Sequence, residues 1–356
     1  MPTKLLRPNV GIFVATSDAF ANWAAPTLAE LTAPAKVFNI SQAIADNYTL
    51  NMTDSDVDNS LSMTDNAQVN TPTMYNYEAS FDGFRDSSLT ALSVYNKFRD
   101  LFTAAPGTKY YLIKRIGKAH DATWAVTDTF SIFGVTTDNP VDIVADGAMI
   151  MLGARFLTTG EVKVNIVPAA GTAGAGPALA TILGTKMQSN ANIAVYWVPT
   201  ASVSNEATFL STPSAATVNA AVNLTSAIAW DGYELGATDS NKIDDKGISD
   251  AANSQTKGFS QFSGALTFFR GITSETTGAY YTAFETFKAA TNGRVGGYLV
   301  TRIGAGTGSI ASGDKVNVFK FIADNAMDNT EGEDSVKFMV KFQPQGLLGL
   351  WKTAAA

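Results

Sequence analysis

Tyr111-Leu112-Ile113-Lys114-Arg115-Ile116-Gly117 returns 187 positions later as Tyr298-Leu299-Val300-Thr301-Arg302-Ile303-Gly304. Tyr, Leu, Arg, Ile and Gly recur in place, and Ile113 becomes the equally β-prone Val300. Toward the C-terminus, Asp138-Asn139 matches Asp324-Asn325, and Phe156 with Gly160 matches Phe342 with Gly346. Toward the N-terminus, Phe84-Arg85 matches Phe269-Arg270, and Thr53-Asp54-Ser55 matches Thr238-Asp239-Ser240. Asn39–Ala45 matches Asn223–Ala229, and Asn9–Val14 resembles Asn192–Trp197. The offset drifts only from 183 to 187. Self-similarity at a nearly fixed spacing marks a duplicated unit. The sequence predicts two tandem domains, 1–167 and 192–356. Residues 168–191 read as a linker that begins with the Gly, Ala and Pro run 168–177.

Each copy reads as mainly antiparallel β. Segments 75–84 and 260–269 alternate apolar and polar residues, the period of a half-buried strand. Strands are also expected at 37–40, 108–116, 128–135, 148–157 and 161–167. In the second copy they are expected at 295–303, 314–321 and 335–342. One helix per copy is predicted from Leu89, Leu92, Tyr95, Phe98 and Phe102, and from Tyr281, Phe284 and Phe287. Pro106-Gly107 and Asn292-Gly293 are their stop signals. Many strands with one helix predict two tandem β-sandwich or partial-barrel domains, each with a flanking helix. The polar stretches Thr53–Thr73 and Thr238–Lys257 are too long for ordinary connections. Each reads as an extended hairpin arm, carrying Asp54, Asp56, Asp58 and Asp65, or Asp239, Asp244, Asp245 and Asp250.

Composition narrows the function. The chain has 356 residues, about two domains' worth. It has no cysteine and one histidine, which excludes disulfide frameworks, thiolate zinc sites and multi-histidine metal centres. Only 16% of residues are charged, against about 25% in ordinary globular proteins. Such a surface suits a protein covered by other subunits. The net charge of −7 argues against tight duplex binding, which depends on Lys and Arg neutralising phosphates. The N-terminus lacks the apolar region of a signal peptide, and the most apolar window, Ala148–Ala154, is too short to span a membrane. Cytoplasmic synthesis, without secretion or membrane insertion, is therefore expected.

The sequence offers little catalytic chemistry. Asp54-x-Asp56-x-Asp58 with Asp65 has the spacing of a calcium loop, but Asn59 stands where the sharp turn needs Gly. Copy 2 loses the third ligand at Ile243. His120 reads as an exposed loop residue, and no Gly-x-Ser-x-Gly elbow accompanies it. Gly171, Gly174 and Gly176 lack the Lys-Ser/Thr of a phosphate loop. No catalytic, cofactor or metal site is predicted. Charged positions that recur are Arg85/Arg270, Arg115/Arg302, Asp128/Asp314 and Asp138/Asp324. They are candidate ion pairs, either fixing the fold or joining subunits.

Tyr77–Phe84, the helical segment 89–104 and Tyr111–Gly117, repeated in the same order in copy 2, resemble phage tail tube proteins, the major tail proteins of long-tailed phages. The resemblance covers nearly the whole chain and rests on order and pattern. It implies a structural virion protein, not an enzyme, assembled in the host cytoplasm into stacked rings. It further implies six tube domains per ring, hence a homotrimer of duplicated chains with pseudo-sixfold symmetry. The arms would reach the next ring or the neighbouring subunit. Tape measure, tail terminator and baseplate proteins would be partners, and duplex DNA would pass an acidic lumen without binding tightly. Other readings are a capsid or decoration protein, the tube of a contractile injection machine, or a tandem β-sandwich adhesin.

Overall fold

The computed structural model describes residues 9–58, 71–89, 92–144, 148–172, 186–187, 192–245, 254–271, 277–288, 295–304, 306–324, 326–329 and 336–356. The first copy runs β1 (Val10–Thr16), α1 (Leu28–Leu31), β2 (Val37–Asn39), β3 (Thr49–Asp58), β4 (Thr71–Phe84) and α2 (Val94–Thr103). It continues with β5 (Lys109–Ile116), β6 (Thr129–Thr137), β7 (Val141–Ile143) and β8 (Met151–Ile166). The second copy begins with β9 (Ile193–Pro199), α3 (Glu206–Ser211), α4 (Ala215–Asn219), β10 (Val222–Asn223) and β11 (Ile228–Thr238). There follow β12 (Lys242–Asp245), β13 (Ser254–Lys257), β14 (Gln261–Phe269), α5 (Ala279–Lys288), β15 (Val295–Ile303), β16 (Lys315–Ala323), β17 (Met327–Asn329) and β18 (Lys337–Thr353).

The two copies share one topology. Copy 1 pairs its strands in the order β2-β1-β5-β6-β8-β4-β3, and copy 2 in the order β10-β9-β15-β16-β18-β14-β11. All these ladders are antiparallel. The registers repeat as well: Ser80 faces Arg155 as Ala265 faces Lys341. The repeated Tyr111–Gly117 block is the central strand β5, with β1 on one side and β6 on the other. Its closing glycine, Gly117, has φ 104°, and Gly304 has φ 102°. Side chains other than glycine rarely adopt that region, which accounts for the Gly at both strand ends.

The cores follow from strand alternation. In copy 1, Val14, Leu112, Phe133, Phe81 and Phe156 pack with α2 on one face of the sheet. Phe13, Ile113, Trp124, Phe130 and Ile132 pack with α1 on the other. Copy 2 repeats this with Trp197, Leu299, Phe319, Phe268 and Phe287 on one face, and Tyr196, Val300 and Val318 on the other.

Several elements differ from expectation. Segments 148–157 and 161–167 form one strand, β8, because Gly160 (φ 79°) makes a bulge and not a turn. Gly346 (φ 72°) does the same in β18, which therefore runs past 342 to Thr353. Helix α2 starts at Val94, since the Ser93 hydroxyl accepts from the Asn96 N–H and caps it. Leu92 is left outside the helix and 86% exposed. The helix stop expected at Asn292-Gly293 lies outside the described residues. The short helices α1, α3 and α4 join the one long helix of each copy; Thr27 and Glu30 close a capping box on α1. His120 is half-buried rather than exposed, and its carbonyl accepts from Asn39 Nδ2 at 2.8 Å.

Both arms start as hairpins. β3 pairs with β4 out to Asp58 and Thr71, and β12 pairs with β13. Asp56 and Asp58 pair in this ladder and Asp54 sits in its bulge, so the stretch is strand rather than a calcium loop. Asp65 and Asp250 lie outside the described residues. Among the described residues no group of His, Cys, Asp or Glu could hold a metal ion, and no helix is long and apolar enough to cross a membrane.

Candidate assembly interface

The fold brings the two copies together in a seam. Arg85, at the end of β4, is 2% exposed and donates to Asp142 Oδ1 and to the Ile303 carbonyl of copy 2, each at 3.1 Å. Asp142 Oδ2 accepts from Asn317 Nδ2 at 2.8 Å, again across the seam. Asn317 Oδ1 accepts from the Trp351 N–H at 2.8 Å, and the Arg85 guanidinium lies 4.5 Å from the Trp351 ring centroid. Burial pushes the Arg85 pKa down to about 10 and the Asp142 carboxyl up, each opposed by the other's charge. At neutral pH Arg85 keeps its proton.

The seam is apolar beside this pair. Ile150 and Met187 sit in the same cluster as Ile303, while Trp351 joins the copy 1 core. Met187 belongs to the segment expected as linker. It donates to the Arg85 carbonyl and accepts from the Ile150 N–H, so this part of 168–191 is woven into the sheet edge.

The copy 2 arm crosses onto copy 1. Ser254 of β13 pairs with Thr159 of β8. At the base of the arm, the Ser240 N–H donates to Asp138 Oδ2 at 3.0 Å. Lys257 Nζ donates to Asn139 Oδ1 at 2.7 Å and lies 3.8 Å from Asp138. Asp239 lies 3.9 Å from Arg155. Asp138 is buried, whereas its duplicate Asp324 is exposed. Among the other arm acids, Asp244 Oδ1 accepts from Gln255 Nε2 at 3.2 Å and Asp245 pairs in register with Ser254.

The other repeated pairs stay within one copy. Arg115 lies 3.4 Å from Asp128, and Arg302 lies 2.8 Å from Asp314. Arg115 Nη2 also donates to the Ala119 carbonyl, and Arg302 Nη2 to the Gly306 and Gly308 carbonyls, so each arginine staples the loop after its strand. Arg270 lies 2.6 Å from Asp328, at the surface. Asp142 and Asp328 form one more duplicated pair of positions, 186 apart, as do Arg155 and Lys341. Both were findable by extending the offset of the Phe156/Phe342 match.

A family model for phage tail tube proteins matches residues 1–171 and 182–356, one match over each copy. The chain belongs to the phage tail tube protein family. No curated protein matches it. Membership makes the chain a structural component of the virion tail, built from two tube domains in tandem.

For a tail tube protein the seam has a further property: each of its faces has an exposed duplicate. Ile150 is 0% exposed, while Val336 is 49% exposed. The backbone there is the same, since Arg85 N donates to the Ile150 carbonyl and Arg270 N to the Val336 carbonyl. On the opposite face, Ile303 is 5% exposed and Ile116 is 38% exposed. Trp351 (φ 53°) has its counterpart in Asn165 (φ 54°). The Asn165 N–H donates to Ser131 Oγ as that of Trp351 donates to Asn317 Oδ1.

Proposed function

We propose that this chain self-assembles into rings that stack into the tail tube, the conduit through which DNA is ejected into the host. Domains 1–167 and 192–356 are two tube units joined by 168–191, and three chains complete a pseudo-sixfold ring. The observation that carries this reading is the seam, whose two faces differ from each other. A contact between unlike faces propagates head to tail and gives a ring when its rotation closes. The low charge follows, because lateral and stacking faces are covered. Other tail proteins, namely tape measure, terminator and baseplate, complete the assembly. The acidic balance lets DNA pass, since a basic lumen would hold phosphate.

Electron microscopy of the purified chain tests this reading. Stacked rings or tubes about 10 nm wide, the scale of a ring of six domains of ordinary radius, are expected. A monodisperse monomer at high concentration that never forms rings overturns it. Lys in place of lumen-facing Asp residues is expected to slow ejection, and unchanged ejection counts against the acidic-lumen part.

A further inference from the structure

We infer that the contact between neighbouring chains is a second copy of the seam inside each chain. The Arg270–Asp328, Asp324 and Lys341 face of copy 2 receives the Ile116 face and arm base of the next chain's copy 1. This rests on the ring reading and names the partner, a second copy of this chain, and the residues that engage it.

Three observations converge. First, the receiving site is already built. Asp324 N donates to the Lys341 carbonyl at 2.8 Å, as Asp138 N donates to the Arg155 carbonyl at 2.9 Å. β18 beyond this point, residues 343–347, is exposed, whereas the equivalent stretch of β8 lies beneath the copy 2 arm. Second, the incoming element is built too. Thr53 faces Asn76 as Thr238 faces Gln261, so Asp54 and Ser55 follow that pair as Asp239 and Ser240 do; in copy 1 the two residues form a bulge in β3, and in copy 2 they follow the end of β11. Third, the charges match. Within the chain, cationic Arg155 meets Asp239, and Asp138 accepts from the Ser240 N–H. Between chains, exposed Lys341 meets exposed Asp54, and Asp324 accepts from the Ser55 N–H. The apolar parts agree, since half-exposed Val336 and Ile116 are the duplicates of Ile150 and Ile303, which the seam buries together.

The test is a charge swap in the full-length protein. Lys341→Glu and Asp54→Lys each place like charges at the contact. Each is expected to raise the concentration needed for assembly about tenfold, the effect of about 1.4 kcal/mol on an equilibrium. The double variant restores the attraction with reversed polarity and is expected to assemble near the wild-type concentration. Sedimentation measures the assembled fraction, and circular dichroism with thermal melting verifies the fold of each variant. Single variants that assemble like wild type, or a folded double variant as defective as the singles, overturn the proposal while the ring reading stands. Wild-type protein that forms no rings overturns both.

Discussion

Arg85 and Asp142 meet at 3.1 Å inside the seam, whereas their duplicates Arg270 and Asp328 meet at 2.6 Å on the surface. The same pair therefore stands in two dielectric environments within one chain. Truncating one partner of a buried pair strands the other charge and costs about 3–5 kcal/mol, while an exposed pair is worth about 0–1 kcal/mol. Asp142→Ala is expected to lower unfolding free energy by about 3 kcal/mol in urea titration. Asp328→Ala is expected to change monomer stability by less than about 1 kcal/mol. Equal effects from the two variants would show that the seam does not bury Arg85 in solution.

Arg115 is completely buried and Asp128 nearly so, and burial pulls the Arg115 pKa down against the pull of Asp128. The guanidinium also closes the 117–128 loop through the Ala122 and Ala119 carbonyls. Asp128→Ala is expected to cost about 3 kcal/mol and to raise amide exchange in that loop. Asp314→Ala, at a more exposed aspartate, is expected to cost less in the same denaturant titration. The reverse order would put the stabilisation elsewhere than in desolvated charge.

The fold was legible because it occurs twice. The Arg-Ile-Gly ending of β5 and β15 requires both a packed strand and a positive-φ glycine, and such a requirement preserves residues through duplication. The break expected between 157 and 161 is the bulge at Gly160, and the spacing pattern stops at 342 where Gly346 makes the same bulge, since a bulge and a turn use the same glycine chemistry. The spacing of Leu92 predicts it inside the helix, but spacing cannot register that Ser93 caps the helix one residue later. The repeated charges were visible as pairs of positions, but their partners were not. Arg115 meets Asp128 thirteen residues on, while Arg85 reaches across to the Ile303 carbonyl, and only the packing of the copies decides between the two.

Glu30 gives the chain an acid-sensitive latch. Burial raises its pKa, but donation from the Ala21 and Thr27 N–H groups and the Thr27 hydroxyl outweighs this, and the net shift is downward. A carboxyl depressed in the folded state contributes stability above its unfolded value of 4.5, and that stability is lost as pH falls through the folded value. The raised Asp142 carboxyl has the opposite sign: its contribution is present below 3.8 and is lost as pH rises through its folded value. Glu30→Gln is expected to lower Tm at pH 7 and to flatten the fall in Tm below pH 4.5. A Tm profile parallel to wild type across that window would remove Glu30 from the account.

Ile150 and Val336 occupy equivalent backbone positions, and the chain buries the first entirely while leaving the second half-exposed. Ile150→Asp puts an unpaired carboxylate in an apolar cluster with Ile303 and Met187. Burying a charge without a partner is costly enough to unfold a marginal domain, so loss of the cooperative melt is expected. Val336→Asp places the same carboxylate at the surface of the isolated chain, where a surface change is worth about 0.5 kcal/mol or less. Its Tm is therefore expected to stay within a few degrees of wild type. If Val336 is covered in the assembled state as Ile150 is within the chain, the variant folds but does not form rings in micrographs. Normal rings from a folded Val336→Asp chain would place the contact between chains on another face.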